Sequence, residues 1–162
     1  MIENQDNKSL EHKELYLSEA TQEALQIAIE DAQDFGRGYY IDTADLLIGL
    51  THVNPTKQIL TALQVTPEKI REVKKALGGY DYFNRLQPPS PPKSIQKWSM
   101  LPRTERMHKI GKLVTERAIV SGRNIIEPED VLNVILEEGQ GLGARILKQI
   151  GLDRSILFKD RA

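Results

Sequence analysis

The side chains that could do chemistry in this sequence are few and scattered. Three histidines, His12, His52 and His108, are the first candidates for metal ligation or proton transfer. No two of them have the i, i+4 spacing that places two ligands on one helix face with a third nearby. They read as solvated side chains, and neither a metal nor a cofactor is expected. Cysteine is absent, which removes thiolate nucleophiles, disulfide frameworks and cysteine-based zinc sites together. Carboxylates are abundant, but Glu30, Asp31 and Asp34 are spaced for the solvated face of a helix, where nothing apolar would raise a pKa for acid–base work. The glycines of "GQGLG" at 139–143 match neither nucleotide-binding fingerprint and follow a helical pattern rather than a strand. No Gly-x-x-x-x-Gly-Lys-Ser/Thr occurs anywhere in the chain. The expectation is a protein that is not an enzyme.

Composition narrows the partners. The 162 residues, 40% of them apolar, are enough to bury one core. A formal net charge of −1 gives no global field to attract nucleic acid or anionic lipid. Two local basic clusters occur, Arg71, Lys74 and Lys75, and Arg103, Arg106, Lys109 and Lys112. Both are interleaved with apolar positions and balanced by Glu68, Glu72 and Glu105, so both read as ordinary surface rather than a nucleic-acid stripe. The polar start "MIENQDNKSLEHKELY" has no apolar h-region, and no apolar run approaches the ~20 residues of a membrane span. A cytoplasmic monomer without nucleic-acid or membrane partners is expected.

The elements that must position any site are helices. From Ser18 a stripe of Ala24, Ile27, Ala28 and Ala32 predicts one amphipathic helix ending near Gly36. Asp42 is the expected N-cap of a short helix through Leu46, Leu47 and Leu50. Asn54-Pro55 reads as cap and N1 proline of a third, and Thr66-Pro67 as the same signal for a fourth carrying Ile70, Val73 and Leu77. The second half follows the same order. Thr104 caps a helix with Met107, Ile110, Val114 and Ala118, Gly122 stops it, Pro128 opens the next, "GQGLG" precedes one ending near Gly151, and Asp153 caps a short last helix. No segment alternates long enough to predict more than two short strands.

Residues recur in register between the halves. Ile41, Asp45, Leu47, Leu50, Leu60 and Leu63 find counterparts in Ile126, Asp130, Leu132, Ile135, Leu147 and Ile150, 85 to 87 positions later. Single-residue drift confined to loops is what a duplicated unit shows. The expected organisation is a polar leader at 1–16, a first four-helix unit at 17–79, a linker at 80–103 and a second unit at 104–160, with 17–160 forming one compact all-α domain about a pseudo-twofold axis. The linker contains "PPSPP", a stiff polyproline-like connector. Its aromatic residues Tyr82, Phe83 and Trp98 are too apolar to be freely solvated and are expected to strap the helices.

This pattern resembles the N-terminal domain of Clp-family unfoldases, a double Clp-N motif, over about Leu17 to Leu157. "LEEGQGLGARILKQIGLD" is similar to the family's Glu-Gly-x-Gly-x-Ala-x-x-x-Leu-x-x-Leu-Gly stretch. Its Gly-Thr-Glu-His is represented by "DTAD" at Asp42–Asp45 and "EPED" at Glu127–Asp130. The resemblance implies a protein-binding module that receives adaptors or substrates for an ATP-driven unfolding ring, either as part of a longer unfoldase or as a free-standing domain. The other readings are an accessory subunit docked on the Clp protease core and a helical regulator of nucleic acid. The resemblance also implies a phosphoarginine site: Glu129 and Thr104 match its glutamate and threonine in the second copy, while Ser18 matches in the first, where Ala44 replaces the glutamate. The candidate substrate- or adaptor-binding residues are therefore Glu129, Thr104 and Ser18, with the strap Tyr82, Phe83 and Trp98.

Overall fold

The computed structural model describes residues 14–34, 41–77, 94–101 and 105–152, the side chains of residues 33 and 34 excepted. Within them the order is β1 (Tyr16–Leu17), α1 (Glu19–Asp34), α2 (Thr43–Leu50), α3 (Thr56–Ala62), α4 (Pro67–Ala76), a 3-10 turn (Trp98–Met100), α5 (Glu105–Val120), β2 (Ile125–Ile126), α6 (Pro128–Glu138) and α7 (Leu142–Ile150). The fold is all-α, and the two short strands pair in parallel, Tyr16 with Ile125 and Leu17 with Ile126. The expected final helix at Asp153 and the linker prolines lie outside the described residues.

Helix α2 shows how the sequence sets the architecture. "TADLLIGL" has no polar face after its first turn, so it can be stable only when covered on every side. All eight of its residues are buried, and α1, α4, α6 and α7 pack around it. Gly49 permits the tightest of these contacts. A Cβ there would stand 2.0 Å from the Ala24 carbonyl oxygen of α1, so only glycine lets the two backbones approach so closely.

Boundary signals in the sequence act as expected at most ends. Asp42 Oδ1 accepts from the Ala44 and Asp45 N–H groups, and Asp45 Oδ2 accepts from the Asp42 N–H in return. Thr66 Oγ1 caps α4 by accepting from Lys69 N–H, and Pro67 takes N1. Gly122 and Gly151 end α5 and α7 with φ of 77° and 98°. One start is displaced: α3 begins at Thr56, with Pro55 rather than Asn54 at its N-cap. Thr56 Oγ1 instead bonds back to the Leu50 and Val53 carbonyls at 2.7 and 2.9 Å.

Three expectations about faces are corrected. Ile27 is only half-buried, and the core stripe of α1 runs through Ala24, Leu25, Ala28, Ile29 and Ala32. Asp31 is not solvated but buried beneath α4, whose Arg71 reaches it at 2.6 Å. Lys74, grouped by sequence with surface cations, is wholly buried. It follows Ile70 by one turn and Val73 by one residue, so the apolar face of α4 carries it inward.

Candidate functional site

The candidate residues centre on the parallel strand pair, because both strands run directly into helix N-termini. First-turn amides have no partner within their own helix and carry a partial positive charge. Leu17 and Ile126 face the core, and Tyr16 faces out at 56% exposure. Beside it, Lys97 bridges β1 from the other side and holds its Nζ 4.8 Å from the Tyr16 ring centroid.

Ser18 ends β1 and starts α1. Its N–H donates to the Ile126 carbonyl at 3.0 Å. Its Oγ accepts from the Thr21 N–H and lies 2.8 Å from Thr21 Oγ1, which itself donates to the Ile126 carbonyl. The Ser18 hydroxyl is therefore spent on capping its helix and tying it to β2. By sequence Ser18 belongs with Ala44, but the fold brings it beside β2, three residues before Glu129. The strand crossing mixes the halves, and linear matching could not see that.

Glu129 stands half-buried in the first turn of α6, and its carbonyl accepts from Asn133 Nδ2 at 3.2 Å. Next to it, Asp130 is 2% exposed and holds the helix start: Oδ2 accepts the Glu127 N–H at 2.8 Å. Arg123 grips both oxygens of Asp130 at 2.5 and 2.6 Å, and Arg117 stands 3.8 Å away. The hydrogen bond to Asp130 raises the Arg123 guanidinium above its usual range.

The corresponding turn of α2 is closed. Ala44 and Thr43 are buried, and Thr43 Oγ1 accepts from the Gly143 N–H of α7 at 2.6 Å. A Cβ at Gly143 would meet the Thr43 carbonyl oxygen at 2.7 Å. Of the glycines of "GQGLG", which match no phosphate-binding pattern, Gly141 and Gly143 let α7 settle on α2, and Gly139 ends α6 at φ 70°.

Trp98 is 7% exposed, donates its indole N–H to the Met107 carbonyl at 2.8 Å and covers Gly111. It packs against α5 and presents little surface to a partner. Thr104, Tyr82 and Phe83 lie outside the described residues. His52 Nδ1 lies 2.9 Å from the Ile48 carbonyl, and His52 and His108 are exposed. Among the described residues no group of three or more His, Asp or Glu side chains could hold a metal ion. No helix there is long and apolar enough to cross a membrane.

No family model matches the sequence. The chain is similar to Clp ATP-binding subunits. It is 25% identical over 154 residues to an ATP-dependent Clp protease ATP-binding subunit ClpA homolog of Cyanidium caldarium, covering 91% of this chain and 16% of that one. Over 134 residues it is 27% identical to the chloroplastic chaperone proteins ClpC2 of Oryza sativa and ClpC1 of Arabidopsis thaliana, covering 81% of this chain and 13% of each. The chain thus spans about a sixth or less of the length of these relatives. The matches are consistent with a domain of the Clp family.

Proposed function

We propose that this chain is a protein-binding module of a Clp chaperone–protease system, without catalytic activity of its own, that receives adaptors or substrates for unfolding. The observation that carries this reading is the extent of the matches. Proteins named as Clp ATP-binding subunits or chaperones align with 81–91% of this chain, yet only 13–16% of their own length is used. The sequence itself carries no phosphate loop.

We further propose that the two halves are diverged copies of one unit. α1 and α5 are both sixteen residues long, with Ala32 and Ala118 at the same position in each and both wholly buried. α2 and α6 each place a buried aspartate, Asp45 and Asp130, one turn from the helix start. Such agreement of local devices supports common descent of the halves.

Affinity capture from the native cell extract, read by mass spectrometry, tests the reading. Recovery of a Clp ATPase ring or its adaptor is expected. A peptidase barrel without the ring would favour a docking subunit of the protease core, and nucleic acid with neither would overturn the proposal. Within the site, Glu129 is the residue that can pair a guanidinium while nearby amides hold a phosphate. Calorimetry with free phosphoarginine is expected to show at most one site per chain, lost in Glu129→Ala and retained in Ser18→Ala. Two equal sites would refute that assignment.

A further inference from the structure

Helix α4 is attached to the rest of the protein by a short apolar stripe and two ionic anchors. Its buried residues are Ile70, Val73 and Lys74, a small apolar contribution beside the eight buried residues of α2. It packs against both α2 and α7, the two helices joined where Gly143 donates to Thr43.

Its two ionic anchors stand one turn apart. Arg71 directs Nε and an NH2 nitrogen to a single oxygen, Asp31 Oδ1, at 2.9 and 2.6 Å. That leaves Asp31 Oδ2 buried with no hydrogen-bond partner. Lys74 Nζ lies 2.9 Å from Asp42 Oδ2 and 3.1 Å from Asp45 Oδ1, with Lys74 and Asp45 both wholly buried.

Each anchor carries a cost that vanishes when α4 lifts away. The orphaned Asp31 oxygen regains water, and so do the ammonium and carboxylates that docking strips of theirs. A ten-residue helix is marginal by itself, so a lifted α4 also recovers chain entropy. The closed state is thus held by a short apolar stripe and by attractions nearly matched by desolvation, whereas α2 buries all eight of its residues and α6 buries Val131, Leu132, Val134 and Ile135.

We propose that α4 is a detachable strap over the line where α2 meets α7, opening as a unit well before the remaining helices unfold and so controlling access to that line. Regions of low local stability are where regulated openings occur. Hydrogen exchange read by mass spectrometry on the full chain at neutral pH tests it directly. Amides of residues 70–77 are expected to exchange at least about tenfold faster than those of α2 and α6. Lys74→Met is expected to speed exchange in α4 by a further factor of at least about ten, with the amides of α5 and α6 remaining slower than those of α4. Arg71→Met, which removes the outer anchor and leaves the buried one in place, is expected to act in the same direction more weakly. Protection of α4 equal to that of α2 in the unmodified protein would overturn the proposal, whether or not either variant folds. So would loss of protection in all helices together in both variants.

Discussion

Asp45 in α2 and Asp130 in α6 occupy the same place in two helices and do the same backbone work, yet their counter-ions come from different directions. Asp45 meets Lys74, which is wholly buried and arrives from α4. Asp130 meets Arg123 and Arg117, which are about a third exposed and come from α5 and the turn after it. The backbone requirement is common to both: an aspartate at the third helical position accepts the N–H of the residue before the helix. The remaining charge must be balanced, and any cation within reach suffices. The same cap can therefore be built with different electrostatics around it, and the two helices should respond very differently to loss of their cations.

The largest effect is expected at Lys74. Breaking a fully buried pair leaves a desolvated charge with no compensation, at about 3–5 kcal/mol. Arg123→Met removes a cation that water already reaches, and Arg117 remains near the same carboxylate, so about 1 kcal/mol is expected. Urea unfolding of Lys74→Met and Arg123→Met measures both. Equal losses would break the contrast between the two anchors. A midpoint for Lys74→Met that falls by less than its local exchange data imply would show the strap opening without the rest.

The second expected effect concerns how closely the helices approach. Gly49 lies against the α1 backbone, whereas the matching position in α6 is Val134, also buried. The first helix pair is thus closer than the second. Gly49→Ala must push α2 off α1 and is expected to cost about 2–3 kcal/mol despite alanine's better helix propensity. Thermal unfolding gives the number, and a neutral or stabilising result would show that the pair can separate freely.

What was legible in the sequence follows from which forces are local. Caps at Asp42 and Thr66, the proline at Pro128 and the glycine stops at Gly122 and Gly151 could all be read, because each is decided within one turn of chain. The all-α class was legible from periodicity. The burial of Lys74 and Asp31 was not, because a charged residue's depth depends on a partner 29 or 40 positions away. Ile70, Val73 and Lys74 do share one helical face, which was the available signal. Of the site, Glu129 was readable as a first-turn carboxylate, but the bond of Ser18 to the Ile126 carbonyl follows from distant strands pairing in parallel, which no local pattern encodes.

The smallest effect lies at the ends of α3 and α7. Both helices close with the same turn. The Val65 N–H donates to the Leu60 carbonyl at 2.9 Å, and the Leu152 N–H donates to the Leu147 carbonyl at 2.8 Å. The residue that turns the chain is Gly151 in one, at φ 98°, and Gln64 in the other, at φ 62°. A side chain in the left-handed region crowds its own carbonyl and costs about 1 kcal/mol, which glycine avoids. Glycine also loses more conformational freedom on folding, so part of that gain is returned through the unfolded chain. Gln64→Gly is therefore expected to stabilise by about 0.5 kcal/mol, and Gly151→Gln to destabilise by about 1 kcal/mol, both read from urea midpoints at constant m. Opposite signs would establish that the two turns impose the same backbone demand and that the first half tolerates a strained residue there. Destabilisation by both would mean that the Gln64 side chain holds a contact worth more than the strain it brings.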